Sequence, residues 1–301
     1  MSFFFIWFAE QKQLKIMRKL SLFILALGLS AANAQELPAP SPSATLSQRV
    51  GLTDFTIEYS RPGVKGREIF GALIPYNEVW RTGANKATSI EFSADVIFDG
   101  KKVAAGKYSV FTIPAEGEWT FILNKNTELW GAGDYKEGED VIRIPVAASE
   151  TEMTETFSMD ITHLSSEGGH LEISFADRMI AVPFMVETNK LAMKNIETAL
   201  SESAEDRLWL VNRNAANYYL NNGLDKKQAL SYIQTAVKLK EDNWYSHYIH
   251  GQVLFSMGMN KEAVDAAKSA MKIGQMEAKE SEKEFSYTQM LKEAMDKWSK
   301  A

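Results

Sequence analysis

The stretch that decides the fold is residues 96–123, VIFDGKKVAAGKYSVFTIPAEGEWTFIL. Val96–Phe98 runs into Asp99-Gly100, a dipeptide that takes up the left-handed geometry of a tight hairpin turn, and Lys101–Val103 returns. Gly106–Ile113 is a second extended run, stopped by Pro114. Residues 119–123 answer it across Ala115-Glu116-Gly117-Glu118. Short runs of β-branched and aromatic residues, separated by turn chemistry and lacking a helical period, read as antiparallel strands.

The same pattern continues on both sides. Residues 55–59 and 89–92 alternate apolar and polar, and residues 141–146, 157–161, 171–175 and 180–186 extend the series. Roughly ten short strands between 45 and 188 predict an all-β antiparallel sandwich or jelly-roll-like domain. From residue 189 the period becomes helical. Gly223, Ala229 and Ala236 recur as Gly258, Ala263 and Ala270, an offset of 34 to 35 residues. Small residues at that spacing predict an all-α tetratricopeptide-like repeat domain over 189–301. Asp225 opens one helix as a capping residue, and Leu291, Ala294, Met295 and Trp298 form the apolar stripe of a terminal helix. Arrays of this kind dock proteins or peptides, and Tyr245, Tyr248 and Phe255, at helical spacing, are the candidate partner-binding residues.

The N-terminus carries an export pattern. Met17-Arg18-Lys19 is a basic start, residues 20–30 are an apolar core, and Ala32-Asn33-Ala34 is a small-residue cleavage site. Residues 1–34 are therefore expected to be a signal region whose true start is Met17, and 35–44 a Pro/Ser tether. The apolar core is too short to anchor the chain in a bilayer, so the product is expected to be periplasmic or secreted. A net charge of −6 argues against nucleic acid as a partner. With no cysteine in the chain, disulfides, thiolate metal sites, thiol nucleophiles and a lipid-bearing cysteine are all excluded.

Residues 59–88, YSRPGVKGREIFGALIPYNEVWRTGANKAT, join two strands and are far too long for a plain turn. Arg61, Lys65, Arg67, Arg81 and Lys86 sit there against Glu68 and Glu78. Together with Trp80 as an apolar wall and Asn85 as a neutral hydrogen-bonding group, these cations are the candidate site for an anionic small molecule or a glycan. The alternative is that the cations pair with Glu58, Glu68, Glu78 and neighbouring aspartates to pin the loop, with Trp80 plugging the core. Glu78, near Arg81 and Asn85, is the single loop residue to nominate for a hydrolase. No catalytic triad elbow, zinc-protease helix, P-loop or dinucleotide fingerprint is present in the sequence.

Other polar groups have plainer readings. His163 and His170, with Glu167, suit a hairpin metal site less well than a pair of surface histidines. His247 and His250 fall at packing positions of the repeat. Asp134, Glu137, Glu139 and Asp140 lack the spacing of a calcium loop and read as solvated. No cofactor or metal is called for.

One resemblance is carried by specific residues: Ser47-Gln48-Arg49-Val50-Gly51, Tyr59-Ser60-Arg61-Pro62, Lys65-Gly66-Arg67, Ile69-Phe70-Gly71, Val79-Trp80-Arg81-Thr82-Gly83-Ala84-Asn85 and Ala105-Gly106-Lys107-Tyr108. It continues through Trp130-Gly131, Asp140 and Arg143 to about Pro183-Phe184. The segment resembles an uncharacterised secreted bacterial family typical of Bacteroidota, the domain of unknown function numbered two-nine-one-one. The resemblance implies an exported β-rich domain, often beside helical repeats, and no particular activity.

Overall fold

The computed structural model describes residues 37–301, so the expected signal region lies outside the described residues. Residues 37–42 carry no helix or strand. From there the chain forms nine strands: β1 (Ser43–Val50), β2 (Thr53–Ser60), β3 (Ser89–Phe92), β4 (Val96–Phe98), β5 (Lys101–Val103), β6 (Gly106–Ile113), β7 (Glu118–Asn124), β8 (Asp140–Thr162) and β9 (Gly168–Val186). All pairings are antiparallel, in the order β1-β2-β3-β6-β7-β8-β9-β4-β5. The β4–β5 hairpin turns at Asp99 (φ 48°) and Gly100 (φ 72°), the left-handed pair that the Asp-Gly dipeptide favours.

Two expectations about the strands change. The four runs in residues 141–186 merge into two long strands of 23 and 19 residues. Residues 147–156, AASETEMTET, contain no Gly, Pro, Asn or Asp, so the strongest turn formers are missing there. The chain stays extended and absorbs the mismatch as register shifts between Glu150, Thr154 and Ser158. The N-terminal half of β8 pairs with β7 and the C-terminal half with β9. The second change is β1, which begins two residues inside the expected tether and returns as β2 through Gly51 and Leu52.

The core is aromatic and joins strands far apart in the sheet order. Phe55 of β2 meets Phe184 of β9 with ring centroids 4.9 Å apart, and Phe98 of β4 meets Phe121 of β7 at 5.9 Å. The long connection, residues 61–88, closes one end of this core. Its Val64, Ile69, Phe70, Ile74 and Trp80 are buried. Its backbone is fastened to β8 by Val64 N to Glu155 O (2.7 Å) and Phe157 N to Pro62 O (2.9 Å). Trp80 exchanges both backbone hydrogen bonds with Thr112 of β6, at 2.8 and 2.9 Å.

Six helices follow: α1 (Thr188–Glu202), α2 (Leu208–Asn221), α3 (Lys226–Leu239), α4 (Trp244–Ser256), α5 (Asn260–Glu280) and α6 (Thr288–Ser299). The Asp225 carboxylate accepts from Lys227 N at 2.8 Å and caps α3. The recurring glycines have one job: Gly223 (φ 65°) ends α2 and Gly258 (φ 79°) ends α4, where the chain must turn left-handed. The recurring alanines 229, 236, 263 and 270 are at most 2% exposed and let the helices approach closely. The helices join the sheet at Gly51 (φ 56°), where an added Cβ would lie 1.9 Å from Thr188 Oγ1 and 2.5 Å from Ser166 O. No helix among the described residues is long and apolar enough to cross a membrane.

His250 of α4 has its Nε2 shielded with no hydrogen-bond partner. Burial first, then the neighbouring His247, lowers its pKa from the ordinary 6.5. The neutral imidazole is therefore favoured in the fold, and the unfolded chain takes up the proton first. Stability is fully present above 6.5 and is lost as pH falls from there to the lowered folded value. We expect His250→Gln to flatten the dependence of Tm on pH between about 7 and 5. An unchanged slope would show that His250 is not the titrating group.

Candidate functional site

The site is built on the end of the long connection, residues 80–88. Because Trp80 pairs with Thr112 as a strand residue would, consecutive side chains point to opposite sides of the backbone. Trp80 goes inward, 9% exposed, with its ring 5.5 Å from Phe157 and stacked at 6.4 Å on Phe175. Its indole N–H donates to Gly83 O at 3.1 Å. The ring is thus part of the core, as the alternative reading had it, and Arg81 falls on the other side.

The turn beyond Arg81 is held in uncommon backbone geometry. Thr82 (φ 50°), Gly83 (φ 138°) and Asn85 (φ 61°) all have positive φ. For a β-branched residue such as Thr82 this costs about 1–2 kcal/mol. Hydroxyl bonds hold it there: Thr82 Oγ1 donates to Trp80 O (3.3 Å) and is hydrogen-bonded to Thr112 Oγ1 (3.1 Å), where either hydroxyl can be the donor, and Thr88 Oγ1 donates to Thr82 O (2.5 Å). Strain of this kind collects at functional sites. Asn85 Nδ2 donates to Ser60 Oγ at 3.2 Å and so helps close the turn.

Arg81 is what this turn presents. It is half-buried, its Nε is shielded from solvent, and no acceptor reaches that nitrogen. Among the described residues its side chain makes no hydrogen bond and no ion pair. Gly131 (φ 96°) lies against it, and a Cβ there would stand 3.1 Å from Arg81 Nη1. Next to Gly131 is Trp130, at 74% exposure the most open aromatic among the exposed large hydrophobics. Beneath runs a small apolar cluster of Ala87, Phe111, Ile122 and Leu129 on the outer side of the sheet. A cavity of about 300 Å³ flanks the turn, with Glu58, Ser60, Lys86 and Ser89 in its wall. Lys107 holds the Glu58 carboxyl below the usual carboxylate range.

The other candidate cations are engaged. Arg61 Nε donates to Phe157 O (2.9 Å); Arg67 donates to Val64 O (3.0 Å) and Gly63 O (2.6 Å). Both pin the loop, and they do so through backbone carbonyls rather than the carboxylates expected. Lys86 pairs with Glu128 at 3.0 Å on the surface. Lys65 is exposed, and its backbone N–H donates to Glu155 Oε1 at 2.9 Å. Glu78 is exposed, without a hydrogen bond or ion pair among the described residues.

In the acidic loop Asp134 and Glu137 are exposed, in keeping with the solvated reading, but Asp140 is not. Asp140, its side chain 5% exposed, accepts from Asn124 Nδ2 (2.8 Å), Tyr135 OH (2.5 Å) and Arg143 Nη1 (2.9 Å). Burial and then the Asp140 carboxylate push the Tyr135 phenol well above its usual range. This network stands behind the loop that carries Trp130 and Gly131. His163 and His170 stack at 4.7 Å, and His163 Nδ1 lies 3.7 Å from Glu172 rather than meeting Glu167. Among the described residues no cluster of three or more His, Asp or Glu is placed to hold a metal ion.

Sequence reasoning missed Trp130 and Gly131 as part of the site. Their signal was available: residues 125–136 form a long structureless connection with an aromatic beside a glycine. On the helices, Tyr248 and Phe255 line a groove of about 470 Å³ between α2, α4 and α6, whereas Tyr245 stands next to it.

Comparison with known families places most of this site in one segment. Residues 41–184 match the family described as Protein of unknown function (DUF2911), which spans the Arg81 turn, Trp130 and the Asp140 network. That segment is an uncharacterised domain of unknown function. No curated protein matches the chain.

Proposed function

We propose that the chain is an exported two-part binding protein, its β unit holding an anionic small molecule or glycan at the Arg81 turn and its helices docking a protein. The observation that carries the first half is Arg81 itself. A shielded guanidinium donor without an acceptor costs about 1–3 kcal/mol, and here it is held in a strained turn beside an exposed tryptophan. An oxyanion with a planar or tetrahedral face is the partner a guanidinium fork fits best. The facing contacts of Phe55 with Phe184 and Phe98 with Phe121 support reading the sheet as two packed layers. The equivalent endings at Gly223 and Gly258 support the tetratricopeptide-like reading. Export rests on the pattern at residues 17–34.

The test compares three arginines, using sulfate, phosphate and glucuronate as probes. Arg81→Gln is expected to abolish the anion-dependent rise in Tm, a loss of about 2–5 kcal/mol of binding, without lowering the anion-free Tm. Arg61→Ala and Arg67→Ala are expected to lower that Tm, through a stability loss of about 1 kcal/mol per lost carbonyl bond, and to keep the anion response. No anion response in the wild-type chain, or an Arg81→Gln variant that merely unfolds earlier, would sink the site. The docking half is tested with a benzophenone cross-linker attached at Gln252 in the groove; if no protein adduct forms in an extract of the source cells, that half fails.

A further inference from the structure

We infer that the run of rings shared by α2, α4 and α6 binds an acidic peptide segment of another protein, with carboxylates meeting Arg213 at one end and Lys297 at the other. The inference rests on the docking half of the proposed function and gives its partner a chemistry.

The rings form a continuous ladder. The Arg213 guanidinium lies 5.3 Å from the ring centres of both Trp209 and Tyr245. Tyr245 is 6.2 Å from Tyr248, Tyr248 stacks on Trp298 at 6.1 Å, and Trp298 stacks on Phe255 at 5.7 Å. Lys297 Nζ closes the far end, 5.8 Å from the Phe255 centre. The groove of about 470 Å³ lies along the second half of this ladder, with Leu220 and Gln252 in its wall.

Lys240 also lies on the Trp209 ring, at 5.6 Å, but it is paired with Asp242 at 2.9 Å, whereas Arg213 and Lys297 lack a counter-charge. Among the described residues neither Arg213 nor Lys297 makes an ion pair, although the chain holds 39 acidic residues against 33 basic ones. The only side-chain hydrogen bond of Arg213 among the described residues runs from Nη2 to Asn214 Oδ1 (3.1 Å). Its Nε is shielded and has no acceptor. Burial draws its pKa below the usual guanidinium range, the direction expected of a cation without a carboxylate. Glu293, the acid in the groove wall, accepts from Gln289 Nε2 (2.9 Å) and leaves both cations to a ligand.

A cation lying on a ring face keeps its N–H edge free for a carboxylate. The surface therefore reads as cation, rings, cation. It matches an extended segment with apolar residues between two acidic ends, and it disfavours basic partners by like-charge repulsion.

The experiment uses the full chain and two fluorescein-labelled heptapeptides, Glu-Asp-Leu-Phe-Leu-Asp-Glu and its amide counterpart Gln-Asn-Leu-Phe-Leu-Asn-Gln, read by anisotropy. The acidic peptide is expected to bind about tenfold tighter or more, with an advantage that shrinks as salt is raised. Arg213→Gln and Lys297→Gln are each expected to weaken it by about tenfold and to leave the amide peptide unchanged. Lys297 is exposed, so its variant keeps the test decisive even if Arg213→Gln disturbs the helices. Equal affinity for the two peptides overturns acid selectivity while leaving the docking surface standing. Binding of neither peptide, or binding of phosphatidylglycerol vesicles instead, overturns the proposal outright.

Discussion

Replacing Asp140 by alanine is expected to cost about 3–5 kcal/mol of stability, the range found when one partner is taken from a buried charged pair. The Asp140 side chain is 5% exposed and is the shared acceptor for Asn124, Tyr135 and Arg143. Without it the Tyr135 hydroxyl still accepts from Arg143 Nη1 at 2.7 Å, but its own proton is left without its acceptor. As an ion pair among the described residues Arg143 would retain only Glu137, at 3.6 Å and largely exposed. Asp140→Asn preserves one acceptor oxygen and should cost less than the alanine change. Urea unfolding of the two variants checks the order. The loss should also reach the proposed anion site, because Asn124 Nδ2 bridges Asp140 Oδ1 to Lys136 O and so steadies the loop bearing Trp130 and Gly131. A loss under about 1 kcal/mol, the value of one ordinary hydrogen bond, would mean that the network does not act as a unit.

The same residues show what could be read from the sequence. Asp99-Gly100 marks a hairpin because its chemistry is local, and the structure turns there. The recurrence of Gly223 and Gly258 is local in the same sense, since each only has to end one helix. The long strands were not legible, because residues 147–156 lie between two clear runs and hold no Gly, Pro, Asn or Asp to mark either a turn or its absence; only the pairing with β9 decides that the chain continues. Arg61 and Arg67 were legible as loop cations but not as to their partners. Carbonyls belong to every residue, so a carbonyl acceptor leaves no mark in the sequence, whereas Glu58, Glu68 and Glu78 stood out as false candidates. Trp80 and Arg81 are adjacent in sequence and read from it as parts of one site. The bridge to Thr112 sets the parity that separates them. What makes Arg81 a candidate, the lack of any acceptor, is a property of the surrounding space and had no sequence signal.

Trp298→Ala is expected to cost about 3–5 kcal/mol, the usual penalty for emptying a buried tryptophan site. Trp298 is 4% exposed, and α6 holds on to α4 through it. Its ring stacks on Tyr248 and Phe255, and its Cζ3 lies 2.7 Å from where a Cβ on Gly251 would stand. Gly251 is therefore glycine for the sake of that ring, since a mid-helix glycine otherwise costs about 1 kcal/mol relative to alanine. A double-mutant cycle separates the two effects. In the wild-type background Gly251→Ala is expected to be destabilising by about 1–3 kcal/mol through overpacking. In the Trp298→Ala background the clash is gone, leaving Ala263 O, 3.0 Å from the Gly251 Cβ position, as the remaining close neighbour. There the same change should be close to neutral or stabilising, as helix propensity and cavity filling both favour alanine. Trp130→Ala is the control: at 74% exposure it should shift stability by less than about 0.5 kcal/mol. If Gly251→Ala costs the same in both backgrounds, the glycine is not there for the ring, and the hold of α6 on α4 must be sought in Leu291 instead.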